Sequence, residues 1–269
     1  MKICIASWSL RNYVGRKFPL AEFPQVVKAK YSVAGVELAQ MHFQDFSLGV
    51  TIPTNETSFL DKIKRGLEQT GCVLVNLPID IGHVSQLDEK KKRFDLDVIK
   101  GWMKVARYLG SRAIRVNTES VITRERKGQK SSSLEMAIES YRELAIYAQE
   151  LNLKLLLENH GGLSGDPQNI IKIVEAVAHS SFGLCADFGN FDEAVRYRAL
   201  EIMAPYVWLV HAKTYDFDEN GEVPEYDFSK CLAIFRDNGF DGFVSVEFEG
   251  QGEQYEGVQR TIDLVHKYW

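Results

Sequence analysis

The chain has 269 residues, of which 45% are hydrophobic and 26% charged, and its formal net charge is −5. That is ordinary globular composition with ample material for a core. The acidic balance removes any electrostatic case for nucleic acid or an anionic membrane as the main partner, and no stretch approaches the ~20 apolar residues of a membrane span.

The N-terminal stretch MKICIASWSLRN carries one lysine and an apolar run too short for a secretory signal. Cys4, Cys72, Cys185 and Cys231 are widely spaced with no C-x-x-C pair, which fits reduced core thiols of a cytoplasmic protein. From there, short β-rich runs alternate with helical patterns. The runs are 2–7 (KICIAS), 33–38 (VAGVEL), 72–77 (CVLVNL), 112–117 (RAIRVN), 153–158 (LKLLLE), 182–187 (FGLCAD), 206–211 (YVWLVH) and 242–247 (GFVSVE). Most are nearly continuous in apolar residues, as strands covered on both faces of a parallel sheet must be.

Helical spacing fits 20–31 and 57–70, and is clearest over 88–109. There Asp88 is the expected N-cap, Phe94, Val98, Trp102, Val105 and Leu109 form the apolar stripe, and Gly110 is the stop. The KKKR stretch at 90–93 reads as a solvated face of this helix. Ser132 with Glu135 three residues on makes a capping-box pattern for the next helix, whose stripe is Leu134, Ile138, Tyr141, Ala145 and Ala148. Further helices fit 167–179, 191–203, 228–238 and 254–267.

No Ser/Gly/Pro-rich linker divides the chain, so 1–269 reads as one domain. Eight strand-then-helix units predict a single (β/α)8 TIM barrel. A doubly wound open sheet would bring a glycine-rich first turn, whereas the turn here, SWSLRN, has no glycine.

Four late strands each end on a metal-competent side chain: Glu158, Asp187, His211 and Glu247. In a barrel all C-terminal strand ends face one mouth, so these groups converge. Three carboxylates brought together repel unless a cation sits among them. Oxygen-rich ligation with one imidazole suits one divalent ion, Mn²⁺, Zn²⁺, Co²⁺ or Mg²⁺. Glu249 shares the side-chain parity of Glu247 and competes with it for the mouth; Glu247 directly ends the apolar run.

The ordered set Glu–Asp–His–Glu, in LLLENHGG, LCADFGNF, VHAKTYDF and VSVEFEG, resembles the sugar phosphate isomerase/epimerase superfamily, the xylose isomerase-like barrels. The resemblance spans most of the chain. It implies a single divalent metal held by Glu158, Asp187, His211 and Glu247. It also implies proton transfer next to a carbonyl through a metal-stabilised enediolate, with Glu158 and Glu247 as base and acid. The implied substrate is a sugar, sugar phosphate or related polyol ketone, and barrels of this kind often pair as homo-oligomers.

Around that set, His160 is placed either to meet substrate or to bond to backbone. Lys213 is placed for a substrate oxygen or for an ion pair in the mouth. Arg115 is suited to a carboxylate or phosphate, or to neutralising the acidic mouth, and ends the fourth strand with Asn117. Trp8 follows the first strand as a candidate sugar wall or a core residue. Two positions depart from the sugar epimerases of the superfamily. Asn190 stands where they often carry histidine, three residues after the aspartate, and Lys213 is the one cation where they often carry arginine beyond the histidine. The Glu158–His160 pattern also resembles metal-dependent dehydratases acting on cyclic keto-acids or keto-inositols, which makes a lyase the alternative. A DNA-repair nuclease on this barrel is disfavoured by only six histidines, His179 and His266 among them falling in helices. A metal-free scaffold is a further alternative. The stretch 216–227, DFDENGEVPEYD, has carboxylates at calcium-loop offsets but lacks the preceding helix and contains Pro224; its NG step predicts a small hairpin over the mouth.

Overall fold

The computed structural model describes residues 1–43, 57–119 and 133–269. The apolar runs become strands β1 Lys2–Ala6, β2 Gly35–Glu37, β3 Val73–Ile79, β4 Ala113–Val116, β5 Lys154–Glu158, β6 Phe182–Asp187, β7 Val207–Thr214 and β8 Phe243–Phe248. The strands close into a parallel barrel in sequence order, with Lys2 beside Phe243 sealing β1 to β8. Outside it pack α1 Phe23–Tyr31, α2 Thr57–Thr70, α3 Glu89–Tyr108, α4 Leu134–Glu150, α5 Pro167–Val177, α6 Arg196–Met203, α7 Phe228–Asp237 and α8 Gln254–Tyr268. This is the expected (β/α)8 TIM barrel. Among the described residues, no helix is long and apolar enough to cross a membrane.

Alternation along each strand separates two apolar regions. Outward residues such as Ile5, Val36, Ile114, Leu157 and Val246 pack against the helices. Inward residues Cys4, Val75, Ala113, Leu156, Cys185 and Leu209 form a plug inside the barrel. The lumen is therefore filled at that level, and any open space must lie above it, toward the C-terminal strand ends. All four cysteines are free and buried.

Five local expectations are corrected. Phe94 does not join the buried stripe of α3; it is 63% exposed. Val98, Trp102, Val105 and Leu109 are buried as expected, and Leu96, Ile99, Met103 and Ala106 widen that inward face; it also buries Lys92, whose ammonium lies 2.9 Å from Glu89 and 3.0 Å from Glu139. The run 90–93 is thus not uniformly solvated. The cap of α4 is Ser133, whose hydroxyl accepts from Met136 N and donates to Glu135; Ser132 lies outside the described residues. His179 follows α5 rather than belonging to it, and its Nδ1 accepts from Ser181 N. Finally, 216–227 forms no hairpin strands. Asp218 Oδ1 accepts from the backbone N–H groups of Asn220 and Glu222, and Glu222 is tied by Lys267 and Tyr268 to α8.

Candidate metal centre and substrate cavity

Two residues above four of the six plug positions, the side chain changes from apolar to ionisable. Leu156 leads to Glu158, Cys185 to Asp187, Leu209 to His211 and Ala113 to Arg115. The period-2 geometry of strands stacks these side chains directly over the plug. The ligand atoms of Glu158, Asp187, His211 and Glu247 all lie within 4.8 Å of one another, and all four residues are buried. His211 Nδ1 is the hub: it stands 3.0 Å from Glu158 Oε1, 3.5 Å from Glu247 Oε2 and 3.7 Å from Asp187 Oδ2.

Whether a cation fits can be asked of the polar atoms themselves. Glu158 Oε2, Asp187 Oδ2, His211 Nδ1 and Glu247 Oε2 are each buried with no hydrogen-bond partner, having only charged neighbours. Buried polar atoms are rarely left so. The other Asp187 oxygen, Oδ1, accepts from Gly189 N at 2.7 Å, which aims Oδ2 at the centre. Arg115 lies against Glu158 Oε2 and Lys213 against Asp187 Oδ2 and Glu247 Oε2 as ion pairs, and the four converging side chains together make a candidate donor set for a divalent cation.

The charges are strongly perturbed. Burial raises Asp187, and Lys213 only partly offsets this, leaving it pushed up to about 7. Glu158 meets the same burial penalty, but Arg115 and His211 outweigh it and hold its carboxyl well below the usual range. Burial likewise opposes ionisation of Glu247, and Lys213 with His211 reverses the sign. Cys185, just beneath, is within ligand reach of Glu158 and His211, yet burial pushes its thiol up to about 12.

The remaining expected residues fall in two groups. Trp8, Arg115 and His160 line a cavity of about 310 Å³ above the cluster, together with Glu37, Asp80, His211, Glu247 and Glu249. Trp8 Nε1 donates to Glu249 Oε1 at 2.6 Å, and the Arg11 guanidinium lies 5.4 Å from the Trp8 ring. Arg115 Nη1 donates to Asp80 at 2.5 Å and to Ile79 O, while its Nε stands 2.9 Å from Glu158. The backbone N–H of His160 donates to Ser164 Oγ, and burial lowers the pKa of its imidazole.

Asn117, Asn190 and Lys213 do not line that cavity. Asn117 donates to Asp80 at 3.0 Å. Lys213 Nζ donates to Asn190 Oδ1 and lies 3.2 Å from both Asp187 and Glu247 and 3.3 Å from Glu249. Glu247 and Glu249 therefore both face the mouth, one at the cluster and one at its wall. The glycines after His160 are also accounted for. Gly161 and Gly162 have φ of +83° and +55°, and a Cβ on Gly162 would sit 2.4 Å from the Glu119 carboxylate.

Three participants escaped the sequence reading. Glu37 ends β2 just as Glu158 ends β5, a signal present but unused. Asp80 follows β3, which runs two residues farther than its apolar pattern. Asn159 points away from the mouth and acts on Asp187 through backbone, which leaves no mark in composition.

Fold and site together define a class: a (β/α)8 barrel that gathers three carboxylates and one imidazole at the mouth around a candidate metal position. The family model described as Xylose isomerase-like TIM barrel matches residues 28–267, and the chain belongs to that family. It is 43% identical over 68 residues to the C-glycoside deglycosidase alpha subunit of Arthrobacter globiformis, a match covering 25% of this chain and 19% of that protein. The chain therefore aligns with only a fifth of that relative. Among solved structures it resembles the 3-keto-D-glucoside 4-epimerase YcjR from E. coli, at 16% identity, 99% coverage of both chains and a TM-score of 0.75. It also resembles the IOLI protein with a bound zinc atom, at 19% identity, 100% and 99% coverage and a TM-score of 0.75. These two likenesses are of fold.

Proposed function

We propose that this protein is a divalent-metal-dependent isomerase or epimerase that moves a proton next to the carbonyl of a sugar-type ketone. The observation that carries the reading is the pairing of Glu158 and Glu247. They come from β5 and β8, reach the same imidazole nitrogen, and are each held by a cation, Glu158 by Arg115 and Glu247 by Lys213. Glu158, Asp187, His211 and Glu247 would hold the ion, which when bound supplies Lewis-acid polarisation of adjacent carbonyl and hydroxyl oxygens.

The protein's own part is proton transfer and placement. One glutamate takes a proton from the carbon beside the carbonyl and the other returns one from the far side, so the reaction is redox-neutral and loses no atoms. Arg115 and Lys213 keep these carboxylates in their basic form. Trp8, Met41, Pro78 and Ile81 give the cavity an apolar wall, against which one face of a sugar ring packs. The names of two relatives, a keto-glucoside epimerase and a C-glycoside deglycosidase subunit, support keto-glycosides beside free ketoses as substrates.

The test is solvent exchange. Metal-loaded protein is incubated in D₂O with free ketoses, their phosphates and 3-keto-glycosides. Deuterium entering at carbon without loss of water supports the proposal, and Glu158→Gln or Glu247→Gln lowers that exchange by about 10²–10⁴-fold. An enone absorbance rising in place of exchange assigns the protein to the dehydratase type instead.

A further inference from the structure

Glu37 is fully buried at the C-terminal end of β2, and its carboxylate reaches into the lumen to side chains of β3, β7 and β8. A register shift between Val36 and Glu37 against β3 sets its angle. Beneath it, Gly35 packs so closely on β1 that a Cβ would sit 2.6 Å from Cys4 Cβ.

Three donors converge on this group. Asn76 Nδ2 donates to Oε2 at 2.6 Å, Ser245 Oγ donates to Oε1, and His211 Nε2 lies 3.3 Å from Oε2. A carboxylate receiving an amide and a hydroxyl proton acts as an acceptor. The imidazole nitrogen facing it must therefore carry the proton. The opposite nitrogen, Nδ1, faces the carboxylate cluster, 3.0 Å from Glu158 Oε1, so it is the nitrogen that gives up a proton when an ion takes that place.

We infer that Glu37 is the positioning residue of the metal centre: it holds the Nε2 proton of His211 and thereby turns the Nδ1 lone pair to the ion. Both oxygens of Glu37 are occupied, so it is not a proton carrier for substrate. The role follows a general rule, since a ligating histidine is oriented by the partner of its other nitrogen, and loss of that partner weakens metal affinity 10–100-fold. The inference rests on the metal reading above, and the test separates the two.

Full-length protein labelled with ¹⁵N-histidine is titrated with ¹¹³Cd²⁺, and long-range ¹H–¹⁵N spectra are recorded. The expected result is one-bond cadmium coupling to Nδ1 of His211 with the proton retained on Nε2. Glu37→Gln keeps the size but not the acceptor-only character. It is expected to weaken Zn²⁺ affinity by 10–100-fold in chelator competition and to mix the two ring tautomers, with the unfolding midpoint of the metal-free protein little changed. Cadmium coupling to Nε2, or a Zn²⁺ affinity within twofold of wild type in Glu37→Gln, overturns the inference. Should that variant not fold, the wild-type coupling pattern decides alone. Failure of wild-type protein to bind either ion sinks the metal reading itself, a result distinct from binding through the wrong nitrogen.

Discussion

Asn159 grips both backbone groups of Asp187: its Nδ2 donates to Asp187 O at 2.9 Å, and its Oδ1 accepts from Asp187 N at 2.8 Å. The two residues belong to neighbouring strand ends, and both are fully buried. The amide therefore fixes the height of the aspartate in the mouth while standing behind it. Asn159→Ala leaves a buried N–H and a buried carbonyl unpaired, at a cost of about 2–4 kcal/mol. Urea unfolding of the metal-free protein measures that loss. Zinc affinity measured under folding conditions should fall as well, and an unchanged affinity would show that Asp187 needs no such brace.

The charge state of the cluster predicts how ion uptake responds to pH. Burial holds Asp187 at about 7 in the metal-free protein. Burial also opposes the charge on His211, but Cys185, Glu37, Glu247 and Glu158 outweigh it and raise that imidazole well above its ordinary value. Both groups must be deprotonated toward the ion, so binding releases protons and tightens as pH rises. Asp187 alone makes Zn²⁺ affinity about tenfold greater at pH 8 than at pH 6. Calorimetry in two buffers of different ionisation enthalpy counts the protons released; a count of zero would refute this.

A second pH effect lies outside the cluster. His42 is buried, its Nδ1 stands 2.9 Å from Ser7 Oγ, and burial lowers it to about 4. The unfolded chain takes up that proton near pH 6.5, so the stability tied to neutral His42 is complete above that value and is lost as pH falls toward 4. At most roughly 3 kcal/mol is involved. The stability difference between wild type and His42→Gln should therefore shrink between pH 7 and pH 4. A constant difference would mean that the imidazole ionises normally in the fold.

Helix α3 offers a contrast between two aromatic side chains eight residues apart. Phe94 is 63% exposed and Trp102 is 1% exposed. Phe94→Ser should change stability by less than about 0.5 kcal/mol, whereas Trp102→Ala should cost about 3–5 kcal/mol. Thermal unfolding distinguishes them, and comparable losses would mean that the exposed ring is covered in solution.

The apolar runs, the helices between them and the four strand-end side chains of the candidate metal centre could be read from residues alone. A parallel strand covered on both faces demands continuous hydrophobicity, and the break in that run marks where the strand leaves the core. Glu158, Asp187, His211 and Glu247 all sit at such breaks, and barrel topology brings strand ends to one mouth whatever their separation in the chain. Which side chain faces its neighbours is a different kind of fact. The phase of α3, the bond from Asn159 to the backbone of Asp187, and the reach of Glu37 into the lumen to His211 depend on contacts between distant segments. A periodic pattern carries the local preference of a segment for water or apolar surroundings, but not the position of the atoms that segment will meet. Only closure of the barrel placed Glu37 against His211.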